Sequence, residues 1–139
     1  EDMRLKQINL ILTQIKDIES NNPSDLILLM GDLNSINKDD YTKDYFNKIL
    51  MKHPKHIPSD KNMRVIKEIE KYMYDTKKID SNSIMRNVKN HTTVWSMRRV
   101  DYIFINKNTI KLNHYINVSD NSSDHYLIYN DIDITSIKN

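Results

Sequence analysis

Three short segments of this chain hold side chains that can act together on a phosphate ester. Gly31-Asp32-Leu33-Asn34 sets a carboxylate two residues from a carboxamide. Arg98-Arg99-Val100-Asp101-Tyr102-Ile103-Phe104 sets a second carboxylate at the head of an apolar run. Ser123-Asp124-His125 sets a third beside an imidazole. An aspartate can orient or deprotonate a water molecule. An Asn amide can hydrogen-bond to a phosphoryl oxygen or hold that aspartate in place. A carboxylate that takes one ring nitrogen of a histidine leaves the other facing substrate. A hard divalent cation on oxygen ligands can neutralise the charge that builds on the phosphoryl group.

Such groups need rigid elements behind them. The short apolar run held in residues 25–30 predicts a strand buried on both faces, followed directly by Gly31. Residues 100–105, with their Tyr, Ile and Phe, predict a strand that carries Asp101. Residues 126–134 alternate, with Ile128, Asn130, Ile132 and Ile134 on one side, and follow His125 directly. Residues 92–95 and 109–118 are two further candidate strands. Helices come earlier. Leu5, Ile8, Ile11, Leu12, Ile15 and Ile18 recur at helical spacing and predict an amphipathic helix over 2–18, closed by the breakers Ser20-Asn21-Asn22-Pro23. Asp39 and Asp40 would cap a helix over 40–51. Ser59 would cap another, running to about Tyr74. The polar stretch 75–90 reads as loop. Early helices and late strands describe an α+β chain, a layered domain or half of one.

In order and context, the three segments resemble the GD-x-N, hydrophobic-D-Y-hydrophobic and SDH motifs of the endonuclease/exonuclease/phosphatase (DNase I-like) superfamily. Arg4 and Gln7 resemble the R-x-x-Q that follows that family's third-strand histidine motif. The resemblance covers residues 4–134. It implies half of a four-layer α/β/β/α sandwich, with strands mostly in the last third. Residues 1–139 would be the C-terminal portion of a single domain, its N-terminal half absent. The resemblance implies that Asp32 positions or activates the attacking water and that Asn34 contacts the scissile phosphate. It implies that Asp101 orients His125, and that His125 donates to a non-bridging phosphate oxygen. Asp124 is similar to a residue that joins metal binding in some members. The implied cofactor is Mg²⁺ or Mn²⁺, whose main Glu ligand would lie upstream of Glu1, together with an Asn and a His. The implied activity is hydrolysis of phosphodiester bonds, first of all in nucleic acid. The same motifs serve sphingomyelinase-like phospholipid diesterases and phosphoinositide phosphatases. A third reading is a split or degenerate member that only binds; the intact set Asp32, Asn34, Asp101, Asp124 and His125 argues against decay. The implied partners are the phosphodiester substrate and the N-terminal half of the same domain. Without that half, an uncovered sheet face should leave the chain marginal and prone to aggregate.

Composition narrows the field. A chain of 139 residues suits one domain with a modest core. A net charge of +2, with 29% charged residues of both signs, excludes a protein that binds nucleic acid by charge alone. Local contacts stay open. Arg98 and Arg99 suit a phosphate, against a solvated strand end. Trp95 suits stacking on a base, against a core or rim position. With no cysteine there is no disulfide framework, thiolate zinc site or cysteine nucleophile, which leans towards a reducing, intracellular compartment. No apolar run is long enough for a membrane span. The chain opens on Glu1 without an initiator Met and reads as a piece of a longer product. His53 and His56 flank Pro54 and Lys55 without a third ligand and read as surface loop. Asn90, Asn117 and Asn121 each begin an N-x-S/T pattern, expected by chance in so Asn-rich a chain. Gly31 is the one glycine, in a chain that must build its turns from Asn, Asp, Ser and Pro.

Overall fold

A computed structural model describes residues 2–52, 63–79, 91–107, 111–118 and 122–133. The first helix, α1 (Asp2–Asn21), is held by a stripe narrower than its sequence suggests. Ile8, Leu12 and Ile15, spaced four and three apart, point into the core, while Ile11 and Ile18 lie at the exposed flanks. Three further α-helices are described: α2 (Lys43–Lys52), α3 (Arg64–Glu70) and α4 (Thr76–Ile79). Thr42 starts α2, its Oγ1 accepting from the Tyr45 amide at 3.3 Å. α3 turns Val65, Ile66 and Ile69 against α1.

The strands form two antiparallel sheets, so the chain is mixed α/β. In the first sheet the order is β1 (Leu28–Asp32), β3 (Asp101–Ile105), β2 (Tyr74–Asp75). The second is the hairpin of β4 (Lys111–Val118) and β5 (Leu127–Asp133), with an irregularity between Leu112 and His114. Alternation along the first sheet divides its faces. Leu29, Tyr102 and Phe104 pack beneath α1 and α3, the two rings stacked 5.5 Å apart. Leu28, Met30 and Asp32 lie on the other face, opposite Ile105, Ile103 and Asp101. Ile105 meets Leu112, Leu26 and Ile132, which fastens the hairpin to the sheet.

Several expectations change. β1 is not buried on both faces: Leu28 is 39% and Met30 61% exposed. The strand also starts later than the apolar run. Asn106 ties down the residues before it, its side chain accepting from the Ile27 amide at 2.9 Å and donating to the Asp25 carbonyl at 3.1 Å. Residues 92–95 are not a strand. The amides of Thr92 and Thr93 both donate to the Arg98 carbonyl, so the chain closes a loop with only Thr93 bridged to His125. The stretch read as loop from 75 opens instead with the end of β2 and with α4. Ser59, the two loop histidines, Asn90 and Asn121 lie outside the described residues, as does the side chain of Asn117. No described helix is long and apolar enough to cross a membrane.

Candidate active site

β1 and β3 pair in a register that sets Asp32 directly opposite Asp101. Gly31 carries φ +140°, a conformation that L side chains rarely adopt. A Cβ there would meet nothing within 4 Å, so the requirement for glycine is conformational and not one of space. The chain then turns on Asp32 itself. Its Oδ1 accepts from the Asn34 amide at 2.7 Å and its Oδ2 from the Asn34 side chain at 3.2 Å. Asn34 takes φ +45°, which Asn tolerates better than most residues. Arg4 on α1 donates to the Asn34 carbonyl, fastening this turn from the helix side.

The third segment arrives by a short antiparallel contact. Val94 donates to the Asp124 carbonyl at 2.9 Å and Tyr126 to the Thr92 carbonyl at 2.8 Å, with Thr93 and His125 bridged between them. Ser123 Oγ accepts from the His125 amide at 3.0 Å. His125 Nδ1 thereby reaches Asp101 Oδ2 at 2.9 Å, which commits that nitrogen and leaves Nε2 as the outward edge of the ring. Donor atoms of Asp32, Asp101 and His125 all lie within 4.8 Å of one another. Partial burial pulls the His125 pKa down. The hydrogen bond that the ring donates to Asp101 and the charges of Asp101, Asp32 and Asp124 outweigh it, and the pKa is raised.

Among family models, curated proteins and solved structures, nothing matches this chain. Within the cluster of Asp32, Asp101 and His125, the two carboxylates are oxygen donors that could hold a hard divalent cation, while His125 Nδ1 is taken by Asp101. Asp124 is not part of that cluster. It lines two adjoining clefts, of about 240 and 470 Å³. The smaller is also lined by Asn34, Thr93, Trp95, Arg98 and His125. Trp95 is 74% exposed there, a rim position and not a core one. A further cleft of about 570 Å³ is lined by Asp32 and Asn34 and, from α1, by Arg4, Gln7 and Ile11.

Arg99 is not placed to touch substrate. It is 1% exposed, with its guanidinium held by Asp75 at 2.5 and 2.7 Å and by Asp40 at 3.0 Å. Its Cζ lies 4.1 Å from the centre of the Tyr102 ring. Between the two neighbouring arginines, it is Arg98 that lines the cleft beside His125. Asp40 does not cap a helix either. Asn37 caps the 3₁₀ turn Lys38–Asp40, and Asp40 also accepts from the Tyr102 hydroxyl at 3.0 Å. Sequence reasoning missed Asp75 as the partner of Arg99. It also missed Thr92, whose Oγ1 accepts from the Asp101 amide at 3.2 Å. Neither residue carries a local signal, because the partners lie 24 residues apart for Asp75 and Arg99 and 9 apart for Thr92 and Asp101, beyond the reach of a helix or strand repeat.

Proposed function

We propose that the protein contributes the catalytic carboxylate, carboxamide and imidazole of a divalent-metal-dependent phosphodiesterase of the endonuclease/exonuclease/phosphatase kind. The observation that carries this reading is the convergence of Asp32, Asn34, Asp101 and His125 from three separate segments. Asp32 accepts a proton from, or orients, the attacking water. Asn34 holds Asp32 and donates to the scissile phosphate. Asp101 fixes the tautomer and aim of His125. The Nε2 edge of His125 donates to a non-bridging oxygen as charge develops on it. Asp32, Asp101 and the nearby Asp124 supply the hard oxygen donors that would hold Mg²⁺ or Mn²⁺. Such an ion neutralises phosphoryl charge when bound.

Nucleic acid is the preferred substrate class, supported by the exposed Trp95 and by Arg98 on the rim of the same cleft. An indole offers a stacking surface to a base and a guanidinium a contact for its phosphate. A phospholipid or phosphoinositide substrate is the competing class. A further partner is the other half of the same fold. Its support is the position of β1 at the edge of its sheet among the described residues, with the exposed apolar Leu28 and Met30 on the same strand as Asp32.

The test is hydrolysis of bis-p-nitrophenyl phosphate, single-stranded DNA, RNA and sphingomyelin by the longest chain that carries this sequence. Asp32→Ala and His125→Ala should each lower kcat/KM by about 10² to 10⁴ without loss of fold. Mn²⁺ should also broaden the His125 ring resonances in the parent protein, and EDTA should restore them. Full activity in both folded variants would refute the assignment.

A further inference from the structure

We infer that Thr92 is the positioning residue of the Asp101–His125 pair, joined through one side-chain oxygen and one carbonyl to both of the backbones that carry it. The inference rests on the hydrolytic reading only for its effect on rate. β3 and β5 belong to different sheets, so no common ladder sets how far Asp101 lies from His125. Thr92 supplies the missing link. It is buried, and its Oγ1 accepts from the Val100 amide at 3.0 Å and from the Asp101 amide at 3.2 Å. Its carbonyl accepts from the amide of Tyr126, the residue after His125, at 2.8 Å. The next residue, Thr93, is the bridge partner of His125 itself. Its hydroxyl accepts from the Arg98 amide at 3.0 Å, which closes the loop that presents Thr92.

Without the Thr92 oxygen, two amides at the mouth of β3 lose their side-chain acceptor. Amides in so enclosed a place shift to find another partner, since a lone buried N–H is unfavourable. The shift moves the Asp101 backbone relative to His125. A hydrogen bond at 2.9 Å does not survive a displacement of about 1 Å, and misplacement of that size costs catalysis on the order of 10²-fold.

The experiment compares Thr92→Val, which keeps the shape and removes the oxygen, with Thr92→Ser, which keeps the oxygen. The readout is the downfield imidazole Hδ1 resonance of the His125–Asp101 bond, assigned by its loss in His125→Gln. Thr92→Val should lose it while Thr92→Ser retains it. On a hydrolysed substrate, Thr92→Val should lower kcat by ~10-fold or more with KM within about twofold. An unchanged resonance in Thr92→Val overturns the proposal. So does its loss in Thr92→Ser, or its absence from the parent protein. Should Thr92→Val not fold, the Thr92→Ser spectrum decides alone. If the parent protein hydrolyses nothing, the functional reading falls and the spectra still judge Thr92.

Discussion

His125 shows how a residue acquires chemistry from its neighbours. Partial burial opposes its positive charge, but the bond it donates to Asp101 and the nearby carboxylates prevail and raise its pKa. The linkage has a definite sign. The contribution of the charged ring is complete below the unfolded-state value of about 6.5 and is lost as pH rises through the higher folded value. A ¹⁵N-edited titration should find the midpoint above that of free histidine, and Asp101→Asn should bring it down. The same midpoint in both proteins would contradict the pairing. Gly31 makes a second case. Gly31→Ala meets no clash, so its expected loss of about 1–3 kcal/mol is backbone strain alone. Urea denaturation measures it, and a neutral result would mean that the turn before Asp32 can relax.

At the scale of elements, the start of β3 is held from both sides. Thr92 accepts amides from one side. On the other, Arg99 is anchored to Asp75 at the junction of β2 and α4, and to Asp40 ahead of α2. Asp75→Ala removes the bidentate partner of a buried guanidinium and should cost about 3–5 kcal/mol. A chemical-denaturation midpoint unchanged from the parent would show that Arg99 finds another partner. Segment 100–105 was legible as a strand because its apolar residues repeat within a few positions. The role of Arg99 was not, because Arg98 and Arg99 have the same chemistry. Which of them turns inward depends on where Asp40 and Asp75 arrive, 59 and 24 residues away in sequence. The two threonines misled for the same reason. They suit a strand by propensity, but the chain beside them closes a loop.

Over the whole molecule, one sheet face is covered by α1 and α3 and the other only in part. Ile103 and Ile105 are buried on the second face, whereas Leu28 and Met30 on β1, the edge strand among the described residues, stay open to solvent. An apolar edge strand invites pairing with another chain. The isolated 139-residue chain should therefore self-associate in sedimentation as its concentration rises. Met30→Lys should reduce that association and alter stability by no more than about 0.5 kcal/mol, since the side chain is already exposed. Undiminished association in this variant would place the contact elsewhere.

The segments that hold Asp32, Asn34, Asp101 and His125, and their order, could be read from the sequence alone, because GD-x-N, the Asp at a strand start and the Ser-Asp-His triplet are local patterns. So could α1, β3 and β5, whose apolar spacing is a property of neighbouring residues. Only the tertiary structure decided how Asp32 comes to face the Asp101–His125 pair, which arginine is buried and which face of β1 is open. Each of those depends on the register of β1 against β3 and on the contact of Thr93 with His125, and such pairings join residues that no local pattern relates.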